Sequence, residues 1–289
     1  MTNWTAAELP DMAGKVVLIT GGTSGIGKVI ARELARVGAH VVLAVRNVAK
    51  GTGVANAMTG DVTVLPLDVS DLASVRSFAD SWTGDIDVLI NNAGIMQVPF
   101  SRTADGFESQ VATNFLGPYA LTNLLLPHIT GRVVTVSSQL HRFGGVHIDN
   151  SAGSRPRYNA TFAYCDSKLE ATMFAIELDR RLKASRSDVR SIVAHPGIVA
   201  GTSLVSHVGG AGGWAFGAFS RFYNDVEHGA LPTLYAVTQD VPGASYVGPD
   251  GFASIKGLPK IRKPSRAARD RDRAKTLWSQ AATLTGTSA

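Results

Sequence analysis

Short runs of β-branched and aliphatic residues recur along this chain, separated by helix-length amphipathic segments. They fall at residues 16–20, 41–45, 62–67, 88–91, 133–137 and 192–195, with a weaker run at 245–247. Unbroken apolar runs bounded by turns suit strands buried on both faces, and their alternation with helices implies a parallel sheet covered on either side. Right-handed crossovers then give a doubly wound sheet, with ligands at the carboxyl ends of its strands. No fixed-period repeat, low-complexity block or linker divides the chain. At 289 residues with 45% hydrophobic content it forms a single α/β domain, 1–289.

The first run leads into Thr20-Gly21-Gly22-Thr23-Ser24-Gly25-Ile26-Gly27 and then a helical pattern from Lys28 to Gly38. Glycines at 21, 25 and 27 permit a tight turn and close approach of backbone to a pyrophosphate, which the following helix N-terminus would attract. The second run ends Val45-Arg46-Asn47. An acidic residue near this point would hold a ribose 2′-hydroxyl, whereas an arginine accommodates a 2′-phosphate. Arg46 therefore favours NADP(H), with NAD(H) possible. Further on, Tyr164 and Lys168 lie four apart in a helical run and share one face. A phenol is a weak base at neutral pH, and a neighbouring ammonium favours its phenolate, allowing proton exchange near working pH.

Composition narrows the remaining classes. The net charge of +5 is unevenly placed: residues 256–275 carry nine Lys/Arg against two Asp, a local +7 that leaves the rest at about −2. That segment lacks interleaved aromatics, and Asp270 and Asp272 alternate with its arginines, so a solvated helix face is expected rather than a nucleic-acid surface. The single Cys165 excludes an internal disulfide. The seven histidines show no metal-site spacing, so no metal is expected. Residues 1–12 lack the pattern of a signal peptide, and no apolar run approaches the roughly 20 residues of a membrane span. A soluble, cytoplasmic protein is the expectation.

Six motifs fall in register with the runs: the glycine turn; Asp68 after the third; Asn91-Asn92-Ala93-Gly94 after the fourth; Thr113-Asn114-Phe115-Leu116-Gly117 in the next helix; Ser137-Ser138 with Tyr164 and Lys168; and His195-Pro196-Gly197 after the sixth. In this order they resemble the short-chain dehydrogenase/reductase family. The runs Arg46-Asn47-x-x-Lys50-Gly51 and Asp105-Gly106-Phe107-Glu108, and the long insert between Ser138 and Tyr164, are similar to the branch containing retinol dehydrogenases and related bacterial oxidoreductases. The resemblance covers residues 12–285 and implies a Rossmann-type sheet of about seven strands in the order 3-2-1-4-5-6-7.

The resemblance further implies roles. Gly21, Thr23, Ser24, Gly25, Ile26 and Gly27 would line the cofactor phosphates and ribose, with Arg46 and Asn47 at the 2′-phosphate. Asp68 and Val69 would hold the adenine edge, with Asn92, Ala93 and Gly94 beside the adenosine ribose. Pro196, Gly197, Val199 and Thr202 would border the nicotinamide amide. Tyr164 would be the general acid in carbonyl reduction and the base in reverse, and Lys168 would lower its pKa and bond the nicotinamide ribose. Ser138 would hold the substrate oxygen, and Asn114 would position a water leading from Lys168 to solvent. Neighbouring residues on a strand face opposite ways, so only one of Ser137 and Ser138 reaches the site; the family match selects Ser138. Asn91 reads as structural, tying adjacent strands through its amide. Thr135 stands where the family often has Asn, and Thr202 follows Gly197 one residue later than usual.

Substrate selection falls to the insert 140–160, where His141, Arg142, Phe143 and Tyr158 are candidates for an entrance. It also falls to 203–228, whose glycines and aromatics at 209–222 suit a mobile lid over an apolar substrate. An amphipathic membrane or partner contact is the competing reading of that stretch, with Arg221 its only basic residue. Residues 265–284 form a closing helix with Leu277, Trp278 and Leu284 inward. The whole implies an NADP(H)-dependent oxidoreductase of lipophilic ketones, aldehydes or alcohols, paired as a homodimer or homotetramer through helices near 106–127 and 161–183. A catalytically idle NADP(H) sensor or scaffold on the same fold is the alternative. An epimerase or dehydratase of nucleotide sugars fits less well, because the chain has no separate C-terminal substrate domain.

Overall fold

A computed structural model describes residues 3–148, 158–199 and 223–287. The apolar runs become strands β1 (Val16–Thr20), β2 (His40–Val45), β3 (Val62–Pro66), β4 (Ile86–Asn91), β5 (Ile129–Val136), β6 (Arg190–Ala194) and β7 (Tyr246–Pro249). An eighth strand, β8 (Pro259–Arg262), joins antiparallel to β7, and the sheet order is β3-β2-β1-β4-β5-β6-β7-β8. The first seven strands are all parallel, as the pattern implies. The extra strand carries no apolar run. It is a short, half-exposed edge whose Pro259, Lys260 and Arg262 discourage further pairing, so β8 lacks the pattern that marks the buried strands.

Alternate residues of each strand face opposite layers. In β1, Val17 and Ile19 pack with α1 (Gly25–Arg36) and with a later helix, Val226–Thr238, on one side. Leu18 faces the other layer, formed by α3 (Leu72–Ser81), α4 (Gly117–Leu125) and α5 (Ala160–Ala184). Between α1 and α3 in the chain, α2 (Val48–Ala55) begins at Asn47, whose side chain accepts the Lys50 N–H, and seats Gly51 against Val45 and Val64. That is the physical content of the Arg46–Gly51 run. In the second run, Asp105 accepts the Leu72 N–H at the start of α3, and Glu108 accepts the Val111 N–H. Val226–Thr238 is α6, and α7 (Arg271–Thr285) closes the chain with Leu277 and Trp278 buried and Leu284 partly so.

Asn91 is structural, but it does not tie strand to strand. Its amide N–H donates to Thr122 Oγ1 at 2.8 Å, joining β4 to α4 behind the sheet. Helix α5 is enclosed: every residue from Tyr164 to Ala175 is buried. An amphipathic surface helix would show one wet stripe, so this stretch has protein on all sides. The sheet lies beneath it. Residues 144–148 run along it as a strap, with Gly145 N–H donating to Asp166 Oδ1 at 2.7 Å and His147 N–H to Glu170 Oε1 at 3.0 Å. From the C-terminal side, the Trp278 ring meets Phe174, with Arg181 stacked 4.3 Å from its centroid. The described start of the insert thus covers a helix.

Close contacts fix where substitutions are tolerated. A Cβ on Gly117 would land on the Val69 carbonyl oxygen, a backbone atom that cannot move aside, whereas one on exposed Gly53 in α2 meets nothing within 4 Å. Gly117→Ala is therefore expected to lower unfolding free energy by roughly 1–3 kcal/mol, and Gly53→Ala to raise it by about 0.5–1 kcal/mol. Urea denaturation of the two variants beside the parent checks both signs.

Candidate active site

The strand order reverses between β1 and β4, and there the carboxyl ends of two strands open a crevice. Thr20 closes its floor. Its hydroxyl accepts the N–H groups of Asn92 at 3.1 Å and Ala93 at 3.0 Å, and the Asn92 amide donates to the carbonyls of Thr20 at 2.9 Å and Gly21 at 3.0 Å. Gly21 and Gly25 take φ values of +70° and +53°, a region costly for other residues. A Cβ on Gly21 would sit 2.8 Å from Ala93 Cα, and one on Gly27 would strike Asn92. The turn through Thr23 and Ser24 delivers the chain into α1 at Gly25 with no acidic residue in the first helical turn. Its N-terminal amides and dipole suit a bound phosphate.

The other predicted cofactor residues line the same strand ends. Arg46 is exposed directly after β2, and no carboxylate pairs with it among the described residues. Asn47 is at the α2 cap. Asp68 follows β3 with Oδ1 turned to Ser70, accepting its N–H at 2.9 Å and its hydroxyl at 2.6 Å, and Val69 beside it is buried. Gly94 sits between two catalytic candidates: a Cβ there would lie 3.1 Å from Asn114 Oδ1 and 3.4 Å from Lys168 Nζ. After β6, the Pro196 carbonyl accepts from Asn224 Nδ2 at 2.9 Å, a Cβ on Gly197 would meet the Ile255 carbonyl, and Val199 packs toward Ile26 at Gly229. Thr202 and the 209–222 lid stretch lie outside the described residues. The glycine cradle, the helix N-terminus and exposed Arg46 fit a dinucleotide phosphate chain and ribose.

The four catalytic candidates converge. Asn114 lies in a π-helical turn, Ala112–Leu116, a widened turn frequent at functional sites. Its amide brackets Ile95, accepting the N–H at 2.9 Å and donating to the carbonyl at 3.0 Å, and also donates to Ser167 Oγ at 2.9 Å. Ser167 in turn donates to the Tyr164 carbonyl at 2.9 Å. Thr20 and Ser167 thus brace the site; both lay inside motifs, yet a hydroxyl's partner across the fold leaves no mark in local sequence. Ser138 neighbours the Tyr164 phenol and favours its ionised form, while Ser137 faces away and donates to the Lys168 carbonyl at 3.0 Å. Lys168 Nζ donates to the Val136 carbonyl at 3.0 Å and lies 5.8 Å from the Tyr164 ring centroid.

Burial dominates the electrostatics. It pushes the Tyr164 phenol up to about 12, against the opposing Ser138 hydrogen bond, and holds Lys168 down at about 8. The lowering of the Tyr164 pKa expected from Lys168 is thus not what this structure displays: desolvation outweighs an ammonium turned toward Val136. The entrance residues also differ from expectation. His141 is fully buried, and Tyr158 is locked by Gln110 at 2.8 Å and Glu108 at 3.0 Å. Arg142 reaches the Lys263 carbonyl at 2.7 Å, and Phe143 is exposed.

Lys168 yields a test of that desolvation. Between about pH 8 and its ordinary value of 10.5 the unfolded chain binds more protons, so stability rises with pH there, and below pH 8 the full cost of the buried charge is present. Without added dinucleotide, Lys168→Met should melt above the parent at pH 7, with the gap closing by pH 10. Calorimetric melting of both proteins at the two pH values checks this; a constant gap would contradict it.

The chain matches the family model described as short chain dehydrogenase over residues 15–210. It is 39% identical to human retinol dehydrogenase 11 across 98% of this chain and 88% of that protein. It is 35% identical to mouse polyprenol dehydrogenase across 96% and 86%. A crystal structure of an uncharacterized protein from Mycobacterium paratuberculosis superposes with a TM-score of 0.87 at 47% identity, covering 99% of this chain and 98% of that one. The chain belongs to the short-chain dehydrogenase/reductase family of alcohol and carbonyl oxidoreductases, in its retinol dehydrogenase-like branch.

Proposed function

We propose that the protein interconverts a lipophilic ketone or aldehyde and its alcohol, with NADP(H) as the preferred dinucleotide and NAD(H) possible. The observation that carries this reading is the Ser138 side chain set beside the buried Tyr164 phenol, one helical turn from Lys168 and next to Gly94. When bound, the dinucleotide supplies or accepts the hydride; the protein orients and moves the proton. Ser138 Oγ holds the substrate oxygen. Tyr164 Oη gives its proton to that oxygen in reduction and takes it back in oxidation. Its elevated pKa keeps the phenol protonated and ready to donate. In the oxidative direction the Lys168 ammonium, once turned from the Val136 carbonyl, stabilises the phenolate, and Asn114 holds a water through which Lys168 exchanges protons with solvent.

Arg46 supports the 2′-phosphate reading because the position offers an exposed guanidinium and Val45, not a carboxylate, precedes it. The names of the retinol and polyprenol dehydrogenases point to long apolar alcohols as substrates of those relatives, which favours a lipophilic substrate here. Phe143 and Phe252 are both exposed, and Phe252 adjoins Ala253, whose carbonyl accepts from Gln139 Nε2 at 2.9 Å. No helix among the described residues is long and apolar enough to cross a membrane. A cytoplasmic location, a small-molecule partner and a homodimer or homotetramer complete the proposal.

Two experiments test it. On a panel of apolar ketones and aldehydes with NADPH, Tyr164→Phe should lower kcat roughly a thousandfold; a variant within a few-fold of the parent would remove Tyr164 from the chemistry. NADPH binding without turnover of any panel member would instead favour the idle sensor. In fluorescence titrations, Arg46→Ala should weaken NADPH about tenfold, the scale of one charge-assisted hydrogen bond, and leave NADH unchanged. Equal effects on both would assign Arg46 to the solvated loop.

A further inference from the structure

His141 ends the three-residue step that begins at Ser138, and its ring is fully buried. Its two nitrogens meet backbone groups of opposite kind. Nδ1 lies 2.7 Å from the Ser138 carbonyl oxygen, and Nε2 receives the Ser265 N–H at 3.1 Å. An amide N–H can only donate and a carbonyl oxygen can only accept, so one species satisfies both: a neutral ring with its proton on Nδ1. Burial opposes charging and holds the imidazole at about 4, with Arg142 adding to that effect. The Tyr246 ring lies alongside, its hydroxyl 3.3 Å from Nδ1, and His195, also buried and held at about 3, stacks on Tyr246. Arg262 is a further charged neighbour of this cluster, bonded to Ser254 at 2.9 Å.

Ser138 is held from several sides. Its carbonyl also accepts the His141 N–H at 3.1 Å, its hydroxyl accepts the Leu140 N–H at 3.2 Å, and the same hydroxyl meets Tyr164. Gln139 and Arg142 also tie this turn to distant carbonyls, at Ala253 and Lys263, but among the three only the His141 ring also bonds Ser138 itself while reaching the segment between β8 and α7. Two local bonds within a short 3-10 turn leave its pitch free to shift, and a displacement of an ångström is enough to spoil catalytic geometry.

We propose that His141 is the positioning residue for Ser138. As a neutral, Nδ1-protonated imidazole it anchors the Ser138 carbonyl to the C-terminal segment at Ser265 and so fixes the direction of the Ser138 hydroxyl toward Tyr164. Its catalytic consequence rests on the oxidoreductase reading above. The bond to Ser265 supplies the fixed point, and the bond to Ser138 transmits it.

Two variants separate these bonds. In His141→Asn the short amide nitrogen takes the place of Nδ1 and still donates to Ser138, but cannot reach Ser265. His141→Gln extends toward Ser265 and gives up Ser138. The tether fails when either bond is lost, so the expected result is kcat at least tenfold lower in both variants, with NADPH affinity unchanged and melting temperatures close to the parent's. A parent-like kcat in either variant, or losses in both that follow melting temperature, would overturn the proposal. Nitrogen-15 NMR of histidine-labelled parent, with His141 assigned by its loss in His141→Asn, reads the ring without any substrate. A fixed Nδ1–H signal from pH 5.5 to 8.5 supports the anchor, and a titrating ring or the Nε2–H tautomer overturns it. Should the parent turn over no carbonyl, the oxidoreductase reading fails, and the NMR result alone decides whether the anchor stands.

Discussion

The crevice exists because β1 and β4 are held at one height by a single buried hydroxyl. Thr20 Oγ1 gathers two amides from the chain leaving β4, and Asn92 returns two bonds to the chain leaving β1. Buried backbone groups must be paired, and here each strand end completes the other. The glycine turn can then be free of side chains where it meets Ala93, so its amides at the start of α1 point into the crevice. Everything downstream inherits that arrangement, because Gly94 emerges from the same junction and passes within contact distance of both Asn114 and Lys168.

The catalytic candidates are then set by α5, a helix the chain encloses and braces. Asn114 reaches it through Ser167, Ser137 through the Lys168 carbonyl, and Lys168 itself through the Val136 carbonyl. A buried ammonium and a buried phenol are each costly alone, and burial drives both toward their neutral forms. At neutral pH the site keeps a phenol whose charge is withheld and a lysine that carries its charge at a cost, until something at the strand ends changes the balance. That is a plausible design only on a rigid frame, and the frame is supplied by backbone carbonyls and small hydroxyls.

How much of this is legible from sequence depends on how local its cause is. Apolar runs mark β1 to β7 because each is buried on both faces, whereas β8 is a four-residue polar edge with no pattern to read. The glycine turn, Asn114, Ser138, Tyr164 and Lys168 stand out as motifs, and the structure gathers them at the carboxyl ends of the strands. The partners of Asn91, Thr20 and Ser167 do not stand out, since each is chosen across 30 to 70 residues by folding. His141 was legible as a residue near the site but not as a buried one. Nothing in Gln139-Leu140-His141-Arg142-Phe143 says that Ser265, 124 positions later, will close over it.

The enclosure of α5 has a consequence for symmetry. A two-fold, isologous contact needs the same surface free in each of two copies. From Tyr164 to Ala175 this helix has none to offer: the strap at 144–148, the Trp278 ring and the sheet already occupy its circumference. A two-fold axis placed on α5 would have to displace α7 and the strap from both copies at once. On the outer side of α7 it would bring Arg271, Arg273 and Lys275 of one copy toward the same residues of the other, with like charges facing across the axis.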